Sequence, residues 1–182
     1  MRIGIQNVSV ISRTWSSEED LRRFLEHAEF YTLIGQEAEA PREFYSLVVS
    51  AEPNGEILWT IGVLNEGHGL SPEALLLPEL KRLFIGANDR VSLLSWEDRA
   101  VVAESALGFL FRSFIPDPKN KLVLAIHEAG VDAFTYDGAS KWRFSRDVVE
   151  TIHSDKDAVE IIFMDADPAR LDVQSGRELI CQ

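Results

Sequence analysis

One stretch, KLVLAIHEAGVDAFTYDGASKW from Lys121 to Trp142, constrains the fold more than any other. It holds an apolar run (Leu122 to Ile126), a polar break at His127-Glu128-Ala129-Gly130, and a second β-rich run from Val131 to Tyr136. Asp137-Gly138 then precedes a short segment ending on Trp142. Asp-Gly between two β-rich runs is a strong hairpin signal, because a type I′ turn needs positive φ at both central residues.

The pattern recurs. Strand-like runs start at Tyr45, Phe84, Val123 and about Ile161, an even spacing throughout. Gly55 to Trp59 and Gly138 to Trp142 repeat one glycine-to-aromatic spacing, and Gly176 follows Gly138 by the same period as the strand starts. A period of roughly 40 residues built of strand, break, strand and turn is how propeller blades read, because a small antiparallel sheet cannot bury both faces alone. The predicted fold class is mainly β (α+β): an antiparallel β meander of propeller-like hairpin units with one N-terminal amphipathic helix. A partial propeller, an open twisted sheet and a sandwich with a helix on one face all accommodate it, and regular hairpin spacing in any meander imitates a repeat.

The segments DAFTYDGASKWRF and ARLDVQSGREL resemble the strand-turn-strand signatures of quinoprotein-like propeller repeats, in which a turn of the form D-x-x-G-x-x-x-W closes each unit. Gly108 to Leu179 is similar to a group of small bacterial proteins of uncharacterised function built from such units. The chain departs from the signature where no glycine follows Trp96 and where Leu179 replaces Trp after Gly176. The resemblance implies a β-repeat fold of three or four units.

Taken in order, Ile3, Ile5, Val8, Val10 and Ile11 predict a first strand, with Asn7 at a bulge. Ser16 and Glu19 read as a capping box opening a helix to about Phe30, whose apolar face is Leu21, Phe24, Leu25 and Ala28. Gly35 to Glu43 reads as loop. Phe44 to Ser50 and Glu56 to about Val63 form a hairpin across Pro53-Asn54-Gly55. Ser71-Pro72-Glu73 predicts a helical turn, Pro78 to Arg82 a second, and Val148 to Ile152 a third. Strands are predicted over Leu83–Ile85, Val91–Trp96, Ala100–Glu104, Val159–Met164 and Arg170–Val173, with an aromatic segment at Phe109, Phe111 and Phe114. The 182 residues predict one domain, with 1–43 as N-terminal strand and helix and 44–182 as repeated hairpin units.

Composition narrows the partners. With 30 acids against 18 bases the net charge is −12, the wrong sign for the counterion release that drives nucleic-acid binding and for adhesion to an anionic membrane. The N-terminal segment lacks a signal-peptide core, and Pro78 stops the longest apolar run. Cys181 is the single cysteine, which excludes an internal disulfide and fits a reducing compartment, as it also fits a cysteine-poor secreted chain. The expected location is cytoplasmic.

Motifs for chemistry are missing. His27, His68, His127 and His153 show no metal-ligand spacing, His127-Glu128 does not continue as a metalloprotease helix, and Asp165-x-Asp167 lacks the rest of a calcium loop. No nucleophile elbow, P-loop or dinucleotide fingerprint occurs. No catalytic residue, metal or cofactor is therefore predicted. His127 and Glu128 are the residues expected to face a partner, with a plain β-bulge as the competing account. Trp59, Trp96 and Trp142, read as ending strands, either plug gaps between sheet units or form an aromatic binding surface, in which case at least one is exposed.

The expectation is a non-enzymatic protein-binding module, in its specific version a bacterial toxin-neutralising immunity or inhibitor protein meeting a basic partner through an acidic face. One alternative is an assembly subunit that forms a homodimer through an exposed β edge or aromatic patch. The other is a small-ligand binder or enzyme with a site built from residues distant in sequence.

Overall fold

The pleat of a strand sends alternate side chains to opposite faces, and here that alternation gives four small sheets separate apolar faces to bury. The computed structural model describes residues 8–38, 40–51, 55–155 and 157–179. Ile3, Ile5, Asn7, Pro53, Asn54, Ile180 and Cys181 lie outside the described residues. Two compact units divide the chain: Met1–Asn88 with Ser92–Val102, and Asp89–Val91 with Ala103–Gln182.

In the first sheet β1 (Val8–Trp15), β3 (Glu43–Ala51), β4 (Glu56–Asn65) and β2 (Tyr31–Ile34) lie in the order β1-β3-β4-β2. The second sheet runs β5 (Glu73–Leu77), β6 (Arg82–Ala87), β7 (Arg90–Ser95), β8 (Ala100–Ala106) in sequence order. The third holds β9 (Phe111–Asp117), β10 (Leu122–His127), β11 (Gly130–Thr135) and β12 (Ser140–Ser145), and the fourth β13 (Val149–Ser154), β14 (Ala158–Phe163) and β15 (Ala169–Asp172), both as meanders. The fold is therefore mainly β, made of propeller-like units, and β9 and β13 open successive sheets one repeat period apart, at Phe111 and Val149. The first sheet breaks the meander: β2 pairs parallel to β4, because helix and strand are inserted between β1 and β3.

In the first unit one face of the first sheet carries Val10, Tyr45, Leu47, Val49, Trp59, Ile61 and Val63, which pack with Leu83, Ile85 and Leu94 of the second sheet. The opposite face is covered by α1 (Glu18–Glu26), whose Leu21 and Leu25 are buried with Leu64 against Trp15, Phe24, Leu33 and Phe44. Gly62 makes that approach feasible, since a Cβ there would fall 2.6 Å from Leu25 Cδ1 and 2.8 Å from Leu33 Cδ1.

The second unit's core joins Leu124, Ile126, Val131, Ala133 and Trp142 of the third sheet to Val149, Val159, Ile161, Phe163, Ala169 and Leu171 of the fourth. On its other face the fourth sheet sets exposed Glu160 opposite both His153 and Arg170.

Several local expectations are corrected by pairing. The helix cap is Ser17, whose hydroxyl accepts the Asp20 amide at 3.1 Å, and Ser16 instead donates to the Asp20 carboxylate at 3.2 Å. The helix stops at Glu26 because the chain beyond it is drawn into the sheet, where Thr60 N–H donates to the Phe30 carbonyl at 3.1 Å and β2 follows. No helical turn opens at Ser71-Pro72-Glu73 or over Val148–Ile152: the strands β5 and β13 begin there, at Glu73 and Val149, since edge pairing with β6 and β14 outweighs local helical preference; the turn at Pro78 is a short 3-10 helix, Pro78–Leu80. At Asp137-Gly138 only Gly138 has positive φ, at 87°, so the connection is not type I′. It is a longer loop in which Thr135 N–H donates to the Ala139 carbonyl and Gly138 N–H to the Thr135 carbonyl. Trp59 and Trp142 lie inside β4 and β12, and Trp96 follows β7.

Removing the Ser17 cap gives a contained test. Ser17→Ala is expected to cost about 1 kcal/mol, read by denaturant unfolding, while Ser16→Ala costs much less. Equal losses would mean that Ser16 shares the cap.

Candidate functional site

The strand ladder, more than exposure, fixes where the predicted residues lie. His127 ends β10 and is 1% exposed, Glu128 beside it is exposed, and the register against β9 shifts between Ile126 and His127, the mark of a bulge. The two-residue connection is clamped on all sides. Glu128 N–H donates to the Leu110 carbonyl at 3.0 Å, Val149 N–H to the Glu128 carbonyl at 2.7 Å, and Arg146 N–H to the Ala129 carbonyl at 2.9 Å.

The imidazole of His127 accepts the Ala129 amide at Nδ1 (3.3 Å), so in the neutral ring Nε2 carries the proton. That Nε2 lies 3.4 Å from Oδ1 of Asp132, a residue two-step alternation places on the same face of the sheet. Asp132 is 2% exposed, and Arg143 Nε stands 3.2 Å from its Oδ2 across the β11–β12 pair. Oδ2 has no aligned hydrogen-bond donor among the described residues, so Arg143 compensates charge without donating a bond. Phe109 stacks on the imidazole at 5.2 Å between ring centres. The sequence reading gave Asp132 and Arg143 no role and placed Phe109 only in an aromatic segment; the signal available was an acid in the middle of an apolar strand, which requires a partner.

The tryptophans are internal. Trp59 is fully buried, with no hydrogen-bond partner for its indole N–H among the described residues; Trp142 donates to the Val173 carbonyl at 2.9 Å; Trp96 is half-buried against the first unit's core. A Cβ on Gly176 would fall 2.5 Å from the Trp142 ring, so the glycine is the seat on which the indole rests.

A concave surface lies elsewhere in the first unit, at Trp15, a tryptophan the sequence analysis did not place in a binding role. Trp15 ends β1 directly before the helix cap, donates its indole N–H to Ser46 Oγ at 3.0 Å and stacks tilted on Phe24 at 4.6 Å. Between β1 and α1 an open groove of about 510 Å³ is lined by Arg13, Trp15, Asp20, Arg23, Phe24 and His27, among others. A smaller pocket of about 210 Å³ shares Phe24 and His27 and continues to Phe30, Ile57 and Thr60. Arg13 lies over the Trp15 ring at 4.2 Å, and Arg99 over Phe30 at 3.1 Å. The local signal was a strand ending on Trp15 followed by a helix whose Phe24 lies one turn beyond the buried Leu21.

Among the described residues no group of three or more His, Cys, Asp and Glu side chains is placed to hold a metal ion, and no helix is long and apolar enough to cross a membrane.

No family model matches the chain, and no curated protein does. Solved structures do match, 236 chains among them. One is the crystal structure of the Saccharomyces cerevisiae Sqt1, with a TM-score of 0.54 at 16% identity, covering 76% of this chain and 43% of that one. The chain thus spans less than half of that protein's length, and the likeness is one of fold.

Proposed function

We propose that this chain is a non-enzymatic protein-binding module, in its finer form a cytoplasmic one of bacterial type, related to the quinoprotein-like repeats, that neutralises a basic partner through its acidic exterior. One observation carries the reading: with a net charge of −12, Asp132 is the only acid buried among the described residues. The surplus negative charge is therefore displayed, and it raises the encounter rate with a cationic surface over about a Debye length, ~10 Å at 0.1 M salt.

The turn between β14 and β15 presents exposed Asp165 and Asp167. Aspartates elsewhere are held in the charged form by local donors: hydrogen bonds from the amides of Asp157 and Ala158 pull Asp155 below the usual carboxylate range, and the Ser175 hydroxyl and amide do so for Asp172.

Capture of partners from the native cell, at low and then high salt, tests this. The expected result is a basic protein retained at low salt, weakened at high salt, and weakened again by the charge reversal Asp165→Lys with Asp167→Lys. A partner held equally at both salts and by the reversed variant, or no partner at either, overturns the acidic-face reading.

A further inference from the structure

In a chain of net charge −12, the groove between β1 and α1 is lined by two bases, Arg13 and Arg23, against one acid, Asp20. β1 is an edge: of the described strands only β3 pairs with it, over the full register from Val8–Ala51 to Trp15–Phe44. Its outer row of backbone N–H and C=O groups is a template for another strand. The alternation of β1 places Ile11, Arg13 and Trp15 together on the face that α1 partly covers, because Arg13 pairs with Ser46 and Ser46 in turn with Gly62, the residue on which Leu25 rests. Ile11 is 61% exposed.

Arg13 has no carboxylate partner among the described residues; its guanidinium rests on the Trp15 ring. The other charges of the groove are engaged. Arg23 pairs with Glu19 at 2.7 Å, and the Asp20 carboxylate accepts from Ser17 at 2.8 Å and from Ser16.

We propose that β1 and this groove take up an extended segment of a partner protein that adds as a further strand to the first sheet. The segment carries an apolar residue beside Ile11 and, two positions along, an acidic residue beside Arg13. Backbone hydrogen bonds to the edge supply affinity, and the two alternate side chains supply selection, the general mode of strand addition beside a groove. A second copy of this chain fits less well in the same place. VSVISRTW contains no acid, so β1 against β1 brings no carboxylate to Arg13 and doubles the positive charge. This surface belongs to the first unit and the acidic turns to the second, and its partner has the opposite charge to theirs.

The probe is a labelled eight-residue peptide, TVTETVTE, which presents valine and glutamate in turn on one face, with TVTKTVTK as its charge-reversed counterpart. Fluorescence anisotropy on the full chain is expected to show saturable binding of the glutamate peptide and little of the lysine peptide. Arg13→Glu, at an exposed site, should weaken the glutamate peptide about tenfold or more and gain affinity for the lysine peptide. That gain cannot come from a misfolded variant. The proposal is overturned if the wild type binds neither peptide, if Arg13→Glu leaves glutamate-peptide binding unchanged, or if sedimentation of the protein alone shows a dimer that Ile11→Glu abolishes. Capture of a basic partner by the acidic turns is unaffected by Arg13→Glu, so the two readings fail independently.

Discussion

Gly130→Ala is expected to destabilise the second unit by about 3 kcal/mol or more, at the upper end of what overpacking costs. A Cβ at this position would overlap the Phe144 carbonyl oxygen and lie 2.9 Å from both Phe144 C and Ser145 Cα, all of them backbone. No side-chain rotamer can relieve the clash. Gly130 is also the closing residue of two ladders at once, opposite His127 on β10 and Ser145 on β12, so moving β11 off one strand drives it into the other. Thermal unfolding checks this, with Gly55→Ala as the control. Gly55 has φ of 66° but nothing within 4 Å of a built Cβ, so that change bears only the left-handed conformation, about 1–2 kcal/mol. If Gly130→Ala lowers the midpoint no further than Gly55→Ala, the close approach of β11 and β12 is wrong.

His127→Ala is expected to cost about 3–5 kcal/mol, and more than Asp132→Asn, which should cost about 1–3 kcal/mol. The asymmetry follows from charge. Removing His127 leaves a buried carboxylate that, among the described residues, faces Arg143 alone, whose side chain is half-exposed and supplies no aligned bond, and it also strips the stack from Phe109. Asp132→Asn keeps a polar side chain beside His127 Nε2, and His127 Nδ1 still accepts the Ala129 amide. The double variant His127→Ala with Asp132→Ala should be more stable than the sum of the two alanine changes predicts, by about 1–3 kcal/mol, because it leaves no orphaned charge. Additive losses in denaturant titrations would show that the 3.4 Å contact between His127 and Asp132 carries no coupling.

How much of this was legible beforehand differs by element. The hairpin β10–β11 was readable because its apolar residues are contiguous and both of its faces are buried, a pattern that admits few other structures. The helix was readable from Leu21 and Leu25, which are the side chains it buries. β2 and β5 were not. Tyr31-Thr32-Leu33-Ile34 is too short to show alternation, and Glu73–Leu77 follows Pro72 with helix-favouring leucines; each becomes a strand only because a neighbour offers a ladder. His127 is legible in the sequence as a polar residue in an apolar hairpin. Its burial depended on Asp132, Arg143 and Phe109, which lie on other segments of the chain and are brought to it by strand pairing.

By itself, then, the sequence determined the β texture, the even spacing of the hairpin units and the single amphipathic helix, because these rest on local patterns of apolar side chains that have few ways to be buried. Only the tertiary structure decided which strands became edges, that β2 runs parallel to β4, and that Trp15, Arg13 and Phe24 share a groove while Trp59 and Trp142 are sealed inside. Those outcomes depend on pairings between residues far apart in the chain, and such pairings leave no periodic trace in the segments that make them.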